Sequence, residues 1–111
     1  MIEYENKQGC TIFHLNEDID ISNAFRIKED IINTIDNEKI TKIIFSFRKV
    51  KFIDSSGISI FIKIKSKYEK EVEIRLCNVF DTIRKSFEYS HLTDFLGLCE
   101  TEQDAIDSLT K

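Results

Sequence analysis

The sequence predicts an α/β domain with a mixed, mostly parallel sheet of about five strands and about four helices. Short apolar runs of strand length alternate along the chain with amphipathic segments of helix length. One run, Lys42–Phe47, is nearly apolar on both faces, as expected of a central parallel strand. Pro is absent from the 111 residues, and no linker or repeat interrupts the pattern. We therefore expect residues 1–111 to form one domain.

The first elements follow from alternation and turn residues. Ile2–Asn6 and Cys10–Leu15 are two extended runs separated by Lys7-Gln8-Gly9, which predicts a hairpin with Gly in the turn. Ser22 stands where it could cap a helix ending near Asp36-Asn37. The inward face of that helix is predicted from three- and four-residue spacing to be Ala24, Ile27, Ile31 and Ile35.

The segment Ile58–Tyr68 is ambiguous by periodicity. Its isoleucines alternate with polar residues as in a strand, but the segment also fits a helix with one polar face. Eleven residues is long for a strand, and Asp54 or Ser55 could cap a helix here. We predict that Ser56–Lys70 is mostly helical.

The remaining elements complete an alternating order. Val72–Cys77 alternates as a strand, and Leu96–Glu100 is predicted to be a short last strand. Between them, four-residue spacing predicts a helix with Val79, Ile83 and Phe87 inward. Thr101 opens a near capping box before a final helix, whose inward residues are Ala105, Ile106 and Leu109. The expected order is β-β-α-β-α-β-α-β-α, with crossover helices.

Charge and hydropathy exclude several classes of partner. Sixteen Lys and Arg against twenty Asp and Glu give a net charge of −4, so direct binding to nucleic acid is not expected. No apolar run approaches the roughly 18 residues that a membrane span needs. Met1 is followed by the mixed sequence Ile2-Glu3-Tyr4-Glu5, which does not resemble a signal peptide. We expect a cytoplasmic protein without a membrane partner.

The residues do not form a recognisable catalytic constellation. His14 and His91 have no companion at metal-ligand or triad spacing. Three scattered Gly cannot form a phosphate-binding loop. We therefore expect a protein that is not an enzyme and that holds no metal or cofactor.

One stretch departs from a plain structural pattern. Asp54-Ser55-Ser56-Gly57 follows a predicted strand and precedes the predicted helix. Such a turn presents side chains at the carboxyl end of the sheet, where open α/β sheets place their sites. The same residues would also suit an ordinary helix cap with turn residues.

Phe52-Ile53-Asp54-Ser55-Ser56-Gly57-Ile58 resembles the signature of the STAS domain of bacterial anti-sigma factor antagonists, usually Asp-Ser-Ser/Thr-Gly-Leu-Gly. Leu15-Asn16-Glu17-Asp18-Ile19-Asp20 is similar to the family's Leu-x-Gly-Glu-Leu-Asp, and the predicted element order is the family's. Ser59 and Glu17 stand where the family has Gly, and Asn78-Val79 where it often has Pro. The resemblance implies the STAS fold.

The resemblance also implies a switch that works by binding. Ser55 matches the residue that a partner serine kinase, itself an anti-sigma factor, phosphorylates using its own bound ATP and Mg²⁺. The unphosphorylated form would bind that kinase and free the sigma factor, and a serine phosphatase would reset the cycle. The other residues expected to line the site are Asp20, Asp54, Ser56, Gly57 and Ser59. The alternative is a STAS-like module that is not phosphorylated and binds a small ligand or scaffold partner.

Overall fold

The computed structural model describes residues 2–111, which form a four-stranded mixed sheet and five helices. The strands are β1 (Glu3–Lys7), β2 (Cys10–His14), β3 (Lys42–Ser46) and β4 (Glu73–Cys77). The helices are α1 (Ala24–Glu38), α2 (Ser55–Lys67), α3 (Asp81–Tyr89), α4 (Thr93–Leu96) and α5 (Glu102–Thr110). The strand order is β1-β2-β3-β4, with β1 antiparallel to β2 and the other pairs parallel. None of the helices described is both long enough and apolar enough to cross a membrane.

The sheet separates a large core from a small one. Because successive strand side chains point to opposite faces, Ile43 and Phe45 enter the large core while Ile44 enters the small one. Helices α1 to α4 cover the large core, and α5 covers the small core. The predicted inward residues of α1 are all buried: Ala24, Ile27, Ile31 and Ile35.

The hairpin prediction is confirmed with strand ends shifted by one residue. Lys7 pairs with Cys10, and Gln8 and Gly9 form the two-residue turn. Both turn residues have positive φ, 51° and 85°, which is the backbone of the tight hairpin turn that favours Gly.

The ambiguous segment is helical, as predicted. Gly57, Ile60, Phe61 and Ile64 are the buried residues of α2, and their three- and four-residue spacing is that of a helix face. The N-cap is Asp54, whose Oδ1 accepts a hydrogen bond of 3.0 Å from the Gly57 N–H. Of the two proposed caps, Asp54 fills the position and Ser55 is the first helical residue.

The predicted last strand, Leu96–Glu100, is wrong as an extended element. Leu96 ends the one-turn helix α4, Gly97 leaves it with φ 66°, and only Leu98 makes a bridge, to Leu76 of β4. Leu96 is fully buried against the large core. Residues 97–100 still lie along β4, because the Leu76 N–H donates to the Gly97 carbonyl and the Cys99 N–H donates to the Leu76 carbonyl. Residues 2–111 therefore contain four strands and a fifth helix in place of the fifth strand.

Ser22 as the cap of α1 is also wrong. Its hydroxyl donates to Asp20 Oδ1 at 2.5 Å, and its own N–H donates to the same oxygen at 2.8 Å. The N-cap position belongs to Asn23, whose side-chain oxygen accepts from the Asp20 N–H instead of from the helix. Because the Ser22 hydroxyl is bound to Asp20, it does not cap α1.

Candidate functional site

The predicted motif lies where two chain segments meet beyond the carboxyl ends of β2 and β3. Residues 15–23 lead from β2 to α1, and residues 47–54 lead from β3 to α2. Ile19 and Ile53 form an isolated parallel bridge. The Ile19 N–H donates to the Phe52 carbonyl, and the Asp54 N–H donates to the Ile19 carbonyl, each at 3.1 Å. The bridge brings Asp20 and Asp54 next to each other in register.

Ser55 is the N-terminal residue of α2. It is exposed, whereas Ser56 is half-buried and Gly57 is buried. The first N–H groups of a helix have no partner within it, and here Asp54 takes the one from Gly57. The Ser55 hydroxyl is therefore presented to solvent at the positive end of the helix dipole.

Gly57 holds α2 close to the bridge. A Cβ built on Gly57 would lie 2.5 Å from Ile53 Cγ1 and 2.8 Å from Ile19 Cγ2. Real Cβ atoms essentially never approach a neighbour within 3.0 Å, so a side chain at this position requires something to move. The Gly of the motif is thus needed for packing between the two segments, not for an unusual φ.

Ser56 and Ser59 are both less exposed than Ser55. Ser59 lies one turn beyond Ser55 on the same side and is half-buried. Ser56 lies one turn before the buried Ile60 and is also half-buried. Ser55 is thus the most accessible of the three hydroxyl-bearing residues that were predicted to belong to the site.

The Asp20 carboxylate is held by its own turn. Hydrogen bonds to Oδ1 from the Ser22 hydroxyl and then from the Ser22 N–H lower the pKa of Asp20 below its usual value. Asp20 is therefore ionised at neutral pH, and its backbone is next to that of Asp54, the helix cap, in the register of the Ile19–Ile53 bridge. A phosphate on Ser55 would lie at the free N–H groups of the first turn of α2 and directly after Asp54 in the chain.

Asp18 belongs to the Leu15–Asp20 stretch that resembles the family, but no role at the site was predicted for it. Its Oδ1 accepts the backbone N–H groups of Lys51 and Phe52 at 2.8 and 3.1 Å. Asn23 extends the same connection, because its side-chain NH₂ donates to the Asp18 carbonyl and to Glu17. The sequence signal was an acidic residue within the Leu15–Asp20 stretch, and it did not indicate which backbone groups Asp18 would bind.

Comparison with known proteins assigns the family. A family model described as STAS domain matches residues 1–105. The chain belongs to the STAS domain family, and the predicted fold is confirmed.

Solved structures of similar shape come from several bacteria. The Thermotoga maritima protein TM1081 matches with a TM-score of 0.90 and 19% identity, over 99% of this chain and 95% of that one. An anti-sigma factor antagonist from Mycobacterium paratuberculosis matches with a TM-score of 0.89 and 18% identity, over 100% and 94% of the two chains. The Bacillus cell fate determinant SpoIIAA, in its phosphorylated form, matches with a TM-score of 0.69 and 26% identity, over 98% and 99%. SpoIIAA is described as an anti-sigma factor antagonist and is also solved unphosphorylated.

Proposed function

We propose that this protein is an anti-sigma factor antagonist that works as a phosphorylation-gated binding switch, without catalysis of its own. Unphosphorylated, it binds a serine-kinase anti-sigma factor in the cytoplasm and so frees the sigma factor. The kinase supplies ATP and Mg²⁺ and transfers a phosphoryl group to Ser55, which weakens the complex, and a serine phosphatase removes the group again. The observation that carries the proposal is the exposed Ser55 at the first position of α2, within Asp-Ser-Ser-Gly.

Membership of the STAS domain family and the geometry of Ser55 support the assignment of the acceptor. A relative of the same fold, SpoIIAA, exists in phosphorylated and unphosphorylated forms. In this chain Asp54 is occupied as a helix cap, and Ser56 is half-buried. Ser55 is therefore the most accessible hydroxyl of the motif.

The proposed gate is electrostatic. Phosphoserine adds about −1.5 to −2 charges at neutral pH. Asp20 and Asp54 are backbone neighbours in the register of the Ile19–Ile53 bridge, so we expect the phosphate to gain little within the protein and its charge to face the partner, next to the partner's nucleotide. An unpaired charge desolvated at an interface costs on the order of 2–5 kcal/mol. At about 1.4 kcal/mol per decade, phosphorylation should weaken binding by roughly thirty-fold to several-thousand-fold.

The acceptor is tested by incubating the protein with ATP, Mg²⁺ and each purified serine-kinase anti-sigma factor of the source organism. We expect one phosphoryl group, mapped by mass spectrometry to Ser55. Ser56→Ala should still be labelled, and Ser55→Ala should not. Label on Ser56, or continued labelling of Ser55→Ala, would show that the acceptor is wrong.

The gate is tested by calorimetric titration into the nucleotide-loaded kinase. Ser55→Ala removes one exposed hydroxyl and should bind like the wild type, because no charge is added. Ser55→Asp should bind more weakly, but less so than the phosphorylated protein, since it carries one charge on a shorter side chain. Equal affinity of Ser55→Asp and Ser55→Ala would refute the electrostatic gate. Absence of wild-type binding to every such kinase would favour the alternative, a module for a small ligand or scaffold partner.

A further inference from the structure

Two cysteines lie in neighbouring backbone segments of the sheet, on the side that α5 covers. Cys77 is the last residue of β4, and its side chain is buried in the small core. Cys99 packs against the same core and is half-buried. Within residues 2–111 both are free thiols. The switch proposed above uses neither of them.

The backbone register sets the two cysteines level with each other. Leu76 forms a parallel bridge with Leu98, and the Cys99 N–H donates to the Leu76 carbonyl at 2.8 Å. The next position along both segments places Cys77 beside Cys99. Leu76 and Leu98 pack on the large core, so the cysteines that follow them are on the opposite face, toward the small core.

The spacing of the two positions is suitable for a disulfide. Level residues on adjacent strands have Cα atoms about 4.8 Å apart. Disulfides join cysteines whose Cα atoms are about 4.4–6.8 Å apart. The Cys99 S–H donates to the Gly97 carbonyl at 3.6 Å, so a bond to Cys77 requires the Cys99 side chain to rotate away from this carbonyl. Little is lost by that rotation, because a thiol is a weak donor.

Cys10, the third cysteine of the chain, cannot join this pair. It packs in the same small core, but the register places it at the other end of the sheet. Thr11 is level with Ile43, near the start of β3, whereas Cys77 is level with Ser46 at the end of that strand. Cys10 and Cys77 are therefore about 13 Å apart along the strands, which is too far for a disulfide.

The two thiols of the pair differ in their access to a small oxidant. Burial, and then the negative charge of Glu102, raise the pKa of Cys77 to about 12, although Ser46 and Arg48 act in the opposite direction. A thiolate is the form that attacks an oxidant, so Cys77 is not expected to react first. Cys99 is the more exposed of the two and is the one that an oxidant can reach.

We propose that Cys77 and Cys99 form a reversible disulfide when the protein meets hydrogen peroxide. The Cys99 thiolate attacks one peroxide oxygen, the O–O bond breaks, and Cys99 becomes a sulfenic acid while hydroxide leaves. The Cys77 thiol then attacks this sulfur, so that the S–S bond forms, the S–O bond breaks, and water leaves with the Cys77 proton. In total the two thiols lose two electrons and two protons, and the peroxide is reduced to two molecules of water.

The bond would fasten the segment before α5 to the edge of β4. It closes a loop over residues 77–99, which contains α3 and α4. Because such a cross-link restricts the unfolded chain more than the folded one, the oxidised protein should be the more stable form. In a reducing cytoplasm, the compartment of the proposed function, a disulfide is made transiently rather than kept as permanent structure. Formation of the bond needs neither a partner nor phosphorylation of Ser55, so it does not depend on the proposed switch.

The test is oxidation of the purified, reduced protein with hydrogen peroxide, followed by alkylation in denaturant and mass spectrometry without reductant. Trypsin cleaves after Arg84 and Lys85, between the two cysteines, so a disulfide would hold two separate peptides together. We expect a chain lighter by two hydrogen atoms, a linked pair of peptides containing Cys77 and Cys99, and alkylation of Cys10 alone. Dithiothreitol should restore alkylation of all three, and the oxidised protein should unfold at a higher urea concentration than the reduced protein.

Two variants make the assignment specific. Cys99→Ser, at the half-buried position, should abolish both the linked peptides and the rise of the urea midpoint. The matched control is Cys10→Ala, which removes a thiol from the same core and should form the disulfide at the rate of the wild type. Peroxide treatment that leaves Cys77 and Cys99 open to alkylation, that oxidises Cys99 to a sulfinic acid without a disulfide, or that links two chains through Cys99 would overturn the inference.

Discussion

Gly57→Ala tests the close approach between α2 and the Ile19–Ile53 bridge. The added methyl group would lie 2.5 Å from Ile53 Cγ1 and 2.8 Å from Ile19 Cγ2. Ile19 is fully buried and Ile53 is 7% exposed, so neither side chain can move out into solvent. Both are β-branched and stiff about χ1, which leaves movement of the α2 N-terminus as the main relief.

The expected loss of stability is about 1 to 2 kcal/mol. Overpacking by one methyl group costs about 1–3 kcal/mol, and two close contacts with buried side chains place this site in the upper part of that range. Replacing Gly by Ala in a helix returns at most about 1 kcal/mol. The steric term therefore exceeds the gain in helix propensity.

Urea unfolding followed by circular dichroism measures this difference. The matched control is Ser56→Ala, in the same helical turn, which adds no atoms and should stay within about 0.5 kcal/mol of the wild type. Gly57→Ala should also bind the proposed anti-sigma factor partner more weakly, since relief of the contact displaces Ser55. A Gly57→Ala protein as stable as the wild type would refute the packing role of this glycine.

Two further predictions concern carboxylates of the site. Asp54→Ala removes the hydrogen bond from the Gly57 N–H and should lower the free energy of unfolding in urea by about 1 kcal/mol. Asp54→Asn keeps an acceptor and should lower it less. Equal losses of stability in the two variants would contradict the capping role. The pKa of Glu17 is lowered from 4.5, first by the hydrogen bond from Arg26, and that of Asp20 is lowered from 3.8 by Ser22. Both groups stabilise the fold above these unfolded-state pKa values, and this contribution is lost as pH falls through the lower folded values. The urea midpoint should drop on acidification below about pH 4, and the drop should be less steep in Glu17→Gln. Titration of the two carboxyl groups by NMR should give pKa values below 4.5 for Glu17 and below 3.8 for Asp20. Unshifted pKa values would contradict the hydrogen bonding.

Elements with a clear local pattern were predictable. The Gln8-Gly9 turn and the inward face of α1 follow from residues close together in the chain, and both are confirmed. The choice of helix for α2 depended on length, because period-2 and period-3.6 readings of its isoleucines were equally good. Burial of Ile60, Phe61 and Ile64 on one side of α2 shows that the helical period of 3.6 residues is the one that matches the packing.

The errors lie where a side chain had a competing partner. Ser22 has the right identity for a cap, but Asp20 offers its hydroxyl a stronger, charged acceptor. Leu96–Glu100 alternates like a strand, yet burial of Leu96 against the large core winds its first residue into α4. Both outcomes depend on a competition that residue type and spacing do not describe.

The sequence by itself determined the α/β alternation, the position of Asp-Ser-Ser-Gly before a helix, and the family that this motif resembles. These depend on local periodicity and on the residue types that turns and caps require. Only the tertiary structure decided that Asp18 would hold the backbone of Phe52, 34 residues away, and that Ile19 would form a bridge with Ile53. Contacts between distant segments form when the sheet brings their loops to the same edge. Each contact is a single hydrogen bond or bridge, so the sequence contains no repeating pattern from which it could be predicted.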